Sequence, residues 1–145
     1  MASSPSILEQ PASPAPAEPL VGQAALILVA EDHLDSRDAL RALLEAIGYR
    51  VTVAVNGRQA ITLAVEQSPD LILMDIMMPE LDGFAAIRAL RARAETGRTP
   101  IIAVTAMEGA QDLALQAGAN DFVRKPIDIR GLVAKVDTWL RIPLA

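Results

Sequence analysis

The chain has 145 residues, 52% of them hydrophobic and 21% charged, which suffices for one packed domain and excludes global disorder. Its 18 acidic and 13 basic residues leave a net charge of −5, which disfavours a nucleic-acid surface as the main business of the chain. The absence of cysteine and the single His33 exclude disulfide scaffolds, thiolate chemistry and multi-histidine zinc sites.

In chain order, the first 24 residues hold Pro5, Pro11, Pro14, Pro16 and Pro19 among Ala and Ser. Proline removes donors and blocks helix, so residues 1–24 are expected to form a disordered, partly polyproline-like tail. Ile7 and Leu8 within it read as a short docking motif or as two chance apolar residues. No apolar run approaches the ~18 residues of a membrane span, and the first basic residue, Arg37, comes too late for a secretory signal. A cytoplasmic domain over residues 25–142, with no membrane insertion, is expected.

That domain alternates two kinds of segment. Leu26–Ala30, Leu71–Met74 and Ile101–Val104 are apolar at every position, the pattern of parallel strands covered on both faces. Arg50–Ala54 alternates partly and Phe122-Val123 is short, as edge strands would be. Between them run amphipathic helices, with faces Ala39/Leu40/Leu43/Leu44/Ile47, Ala60/Ile61/Ala64/Val65, Phe84/Ile87/Leu90, a weaker Leu113/Ala114/Ala117, and Ile129/Leu132/Val133/Val136/Leu140. Gly48 fits a helix C′ position and Asp128 a helix N-cap. Alternating strands and helices predict right-handed crossovers and an α/β fold, a doubly wound five-stranded parallel sheet of order 2-1-3-4-5, flavodoxin-like, with its site outside the carboxyl ends of the strands.

The residues at those ends are Glu31 and Asp32 after the first strand, Asp75 after the third, Thr105 after the fourth and Lys125-Pro126 after the fifth. Three converging carboxylates repel one another without a cation, and an oxygen-only set that leaves room for water and a phosphoryl group suits Mg²⁺. Thr105 and Lys125 could hold phosphoryl oxygens, and an Asp carboxylate can itself be the nucleophile. Taken singly, each has a plainer reading: Asp32 as a helix cap, Thr105 as a strand end, Lys125 as a solvated charge, His33 as an exposed residue before a helix. Asp75 is harder to read as a turn residue, because Met74 precedes it and Ile76, Met77 and Met78 follow. Lys125 is one of only two lysines beside 11 arginines, a mild hint that its position favours a compact ammonium.

Leu26–Asp32, Asp70–Pro79, Asp82-Gly83, Ile102–Ala106, Ala117–Ala119 and Lys125-Pro126 together resemble the receiver domain of two-component response regulators, from about Leu26 to Leu140. The resemblance implies that Asp75 accepts a phosphoryl group from a histidine kinase or histidine phosphotransfer protein. It implies that Glu31, Asp32, Asp75 and the Met77 backbone carbonyl bind Mg²⁺. Thr105 and Lys125 would meet the phosphoryl group, with Lys125 preceding a cis proline, Phe122 as the switch aromatic and Ala106 as the small residue that leaves the group accessible. The stretch from Thr105 to Gly118 is about two residues shorter than usual, which trims the fourth helix or its preceding loop and bears on the output face.

The expected function is a phosphoacceptor switch, not an enzyme acting on external substrates, that alters affinity for a downstream protein as a monomer or weak phosphorylation-linked dimer. Two alternatives stay open: a phosphorylation-independent receiver-like interaction module, and a receiver fragment of a hybrid kinase. A dehalogenase-type phosphatase would need an acid where Met77 stands, and a flavodoxin would not place Glu31-Asp32 where a phosphate must approach backbone amides. The chain stops five residues after Leu140, so the output is expected to reside in another protein.

Overall fold

A computed structural model describes residues 25–142; the predicted tail over residues 1–24 lies outside the described residues. Five strands and five helices alternate: β1 (Leu26–Ala30), α1 (Leu34–Ile47), β2 (Arg50–Ala54), α2 (Gly57–Gln67), β3 (Leu71–Asp75), α3 (Gly83–Arg91), β4 (Ile101–Thr105), α4 (Ala110–Ala117), β5 (Asp121–Arg124) and α5 (Ile129–Arg141). They form one parallel sheet of order β2-β1-β3-β4-β5, the predicted doubly wound arrangement. Each strand runs within a residue or two of its predicted bounds. No described helix is long and apolar enough to cross a membrane.

The period of two along a strand sends alternate side chains to opposite faces, and both faces are covered. Leu28, Ile72, Met74, Ile101 and Ala103 pack on the side of α2, α3 and α4. Ile27, Val29, Leu71, Leu73, Ile102 and Val104 pack with Leu40 and Leu44 of α1 and Leu132 and Val136 of α5. This is why β1, β3 and β4 read as unbroken apolar runs, while edge strand β2 is only partly buried.

Several helix faces differ from the sequence pattern. In α4 the buried row is Ala110, Ala114 and Ala117, and Leu113 is 52% exposed. The i, i+4, i+7 row of small residues lets this short helix lie close to the sheet, turning the leucine outward. Ile47, the last residue of α1, and Ile129, the first of α5, are likewise exposed. Asp128 occupies the N-cap position of α5, but its side chain makes no capping bond and only its carbonyl accepts, from the Leu132 N–H.

The return from α3 to β4 is held by Arg91. Its Nε donates to the Gly118 carbonyl at 2.8 Å, one Nη to the Thr99 carbonyl at 2.8 Å, and the other to Asn120 Oδ1 at 2.6 Å. One guanidinium fork thus ties together the loops that lead into β4 and β5, at the end of the sheet remote from the carboxylates.

Candidate functional site

The backbone ladder continues one residue past the strands, and this fixes the rim. The Glu31 N–H donates to the Ala54 carbonyl, that of Ile76 to Val104, and that of Lys125 to Thr105, each at 3.0 Å. Glu31, Asp75 and Lys125 therefore leave the sheet in register rather than from loose loops.

Carboxylate oxygens of Glu31, Asp32 and Asp75 all lie within 4.8 Å of one another. Glu31 and Asp75 are buried, 2% and 5% exposed, and Asp32 is more open. Lys125 reaches over from the fifth strand: its Nζ lies 2.9 Å from Glu31 Oε1 and 3.4 Å from Asp75 Oδ2. Its peptide bond to Pro126 is cis, as the resemblance implied. A hard divalent cation suits this all-oxygen donor set, since it would relieve the repulsion among three acids that a single ammonium offsets incompletely.

Electrostatics divides the two buried acids. Burial pushes Asp75 up, the negative Glu31 beside it pushes further, and Lys125 opposes them, leaving its carboxyl at about 6. Burial also raises Glu31, but the His33 N–H, at 3.0 Å from Oε2, and the close Lys125 outweigh it, so Glu31 sits below the ordinary range. Burial lowers Lys125, yet its contacts with the two carboxylates hold it above the ordinary lysine value. Glu31 is the anion that Lys125 chiefly serves, and Asp75 is the acid left under-compensated.

The loops around the acids have their own supports. The Met77 N–H donates to Asp75 Oδ1 at 3.2 Å, and the Arg37 guanidinium bonds the carbonyls of Glu31 and Asp32 at 3.1 and 3.3 Å. Asp82 caps α3 by accepting from the Ala85 N–H at 2.9 Å. Gly83 approaches so closely that a Cβ there would lie 2.5 Å from the Asp75 carbonyl oxygen. Its own N–H donates to the Ile76 carbonyl at 2.9 Å, so α3 starts directly against the segment that follows Asp75. Gly83→Ala is therefore expected to destabilise the fold by about 1–3 kcal/mol through displaced backbone, with a lower melting temperature as the check. A melting curve equal to wild type would show that this loop gives way freely.

Thr105 ends β4 fully buried, and its hydroxyl accepts from the Met107 N–H at 3.1 Å. Phe122, paired with Ala103, is half-buried and packs against the core on the α4 side. Ala106 is exposed at the start of the β4–α4 loop. Thus the structure gathers Glu31, Asp32, Asp75 and Lys125 into one cluster, while the Thr105 hydroxyl is engaged within its own loop and Phe122 lies toward α4. Sequence reasoning missed Arg37 and the packing role of Gly83. Nothing in the local pattern marks an arginine on a helix face as a loop support, whereas Gly83 directly after an N-cap Asp gave a usable signal.

The response regulator receiver domain family model matches residues 27–137. Protein PilH of Pseudomonas aeruginosa is 38% identical over 118 residues, covering 80% of this chain and 98% of PilH. Response regulator PleD of Caulobacter vibrioides is 39% identical over 122 residues, covering 83% of this chain but only 27% of PleD, so the chain spans about a quarter of that relative. The receiver domain of the sensor histidine kinase PA1611 of Pseudomonas aeruginosa PAO1, solved with a magnesium ion coordinated in its active-site cleft, superimposes with a TM-score of 0.75 at 40% identity, covering 80% of this chain and 97% of that domain.

Proposed function

The chain belongs to the response regulator receiver family, and from that premise we propose that it is a phosphoacceptor switch in which Asp75 takes a phosphoryl group from a histidine kinase or histidine phosphotransfer protein. The observation that carries this reading is the buried Asp75 carboxylate facing Lys125 Nζ at 3.4 Å, among acids placed to share a cation.

In the proposed step an Asp75 carboxylate oxygen bonds to phosphorus as the P–N bond of the donor phosphohistidine breaks, and the departing imidazole nitrogen takes up a proton. The Lys125 ammonium, fixed by Glu31, would face the phosphoryl oxygens as they shift from donor to acceptor. Glu31, Asp32, Asp75 and the Met77 carbonyl would hold Mg²⁺, the ion seen in the PA1611 receiver cleft. When bound, Mg²⁺ supplies neutralisation of phosphoryl charge. Thr105 would exchange its bond with Met107 for the phosphoryl group, and Phe122 would follow by repacking toward β4.

The surroundings suit a protein donor and a protein target. An apolar groove between α1 and the turn after β5, lined by Ala39, Leu40, Leu43, Ile127 and Ile129, adjoins Lys125. On α4, Leu113 and Leu115 are exposed on separate sides of the helix, and each offers an apolar contact to a target that follows the Thr105 and Phe122 shifts.

Incubation with Mg²⁺ and a small acyl phosphate is the test of this reading. The protein is expected to gain the mass of one phosphoryl group, and a chelator is expected to suppress the gain. No gain in the presence of Mg²⁺ would overturn the reading.

A further inference from the structure

The chain has no cysteine, so its oxidisable sulfur is confined to five methionines. Four of them lie among the described residues, and their surroundings differ sharply. Met74 points into the core and is fully buried. The other three, Met77, Met78 and Met107, line one groove with Asp32 and Phe84 beside the acidic cluster. Within that groove Met78 is 8% exposed and Met107 is half-buried, whereas Met77 is 60% exposed. Met77 is also tied to the acceptor, since its N–H donates to Asp75 Oδ1.

We propose that Met77 is a reversible oxidation site for peroxide-class oxidants and that its sulfoxide slows phosphoryl uptake at Asp75. This rests on the phosphoacceptor reading above. In the oxidation a sulfur lone pair attacks one peroxide oxygen, the S–O bond forms and the O–O bond breaks. The sulfur loses two electrons, the peroxide is reduced, and the leaving hydroxide takes the proton from the oxygen now on sulfur, giving the sulfoxide and water. The product replaces an apolar thioether with a strong dipole whose oxygen is a hydrogen-bond acceptor. Asp32 and Asp82 line the same groove, so the sulfoxide oxygen adds negative potential where phosphoryl oxygens must enter, and its hydration opens the apolar lining formed by Phe84 and Met107. A dithiol-dependent sulfoxide reductase would restore the thioether.

The test uses the full chain, graded hydrogen peroxide, peptide mass mapping, and labelling by a small acyl phosphate with Mg²⁺. Met77 is expected to gain oxygen before Met107, and Met78 and Met74 last. Labelling of the Met77-oxidised protein is expected to slow about three- to tenfold, and sulfoxide reductase is expected to restore the starting rate. The Met77→Leu variant, compared with its own untreated rate, should become insensitive to peroxide, and Met107→Leu should stay sensitive. Oxidation of Met78 before Met77, or unchanged labelling once Met77 carries oxygen, would overturn this inference alone. Absence of labelling in untreated protein would instead overturn the phosphoacceptor reading on which it rests.

Discussion

The Asp75→Asn substitution is expected to stabilise the metal-free protein at about pH 8, by up to about 3 kcal/mol if the whole shift from an unfolded value near 3.9 is recovered. Asp75 is buried and its carboxyl titrates at about 6 in the folded protein, because burial and the negative Glu31 outweigh Lys125. Between the unfolded and folded values the folded state binds more protons, so wild-type stability falls as pH rises through that window and stays low above it. Asparagine keeps the size of the side chain and removes the charge. The gain should therefore be largest above pH 6 and vanish near pH 4, where the aspartate is protonated anyway. Urea denaturation in chelator at both pH values checks this. Equal stability of the two proteins at pH 8 would mean that Asp75 is not repelled.

Lys125→Met is expected to act in the opposite sense. Its ammonium is the cation within hydrogen-bond reach of both buried acids, at 2.9 and 3.4 Å. Removing one partner of a fully buried ion pair costs about 3–5 kcal/mol, and because the Lys125 side chain is 27% exposed, solvent screening reduces the expected loss to about 2–3 kcal/mol. The loss should be greatest at alkaline pH, since protonation of Glu31 and Asp75 removes the uncompensated charge. Addition of Mg²⁺ should recover part of it, because a divalent ion among the acids replaces the missing positive charge. Thermal melts with and without Mg²⁺ measure both effects. A variant as stable as wild type at pH 8, with no response to Mg²⁺, would contradict the charge balance described for this rim.

These effects meet at a place that was largely legible in the sequence. The all-apolar runs of β1, β3 and β4 are the direct imprint of a sheet covered on both sides, and acids at their carboxyl ends could only converge in a parallel sheet. What escaped is tertiary in origin. The outward turn of Leu113 depends on how closely a row of alanines lets α4 approach the sheet, which no helical period reveals. The support that Arg37 gives to the Glu31 and Asp32 carbonyls spans a loop, and its side chain alone decides it. The division of labour between Glu31 and Asp75 was likewise invisible, because it follows from the burial of Asp75 beside the negative Glu31, and from the His33 N–H and the closer Lys125 that favour the Glu31 anion.

The proposed role of Asp75 as phosphoryl acceptor is tested most directly by peptide-resolved mass spectrometry of the wild-type and Asp75→Asn proteins after exposure to a small acyl phosphate and Mg²⁺. The expected result is one phosphoryl group on the wild-type peptide that carries Asp75 and none on the variant. A phosphoryl group on another residue, or equal labelling of the variant, would contradict the account.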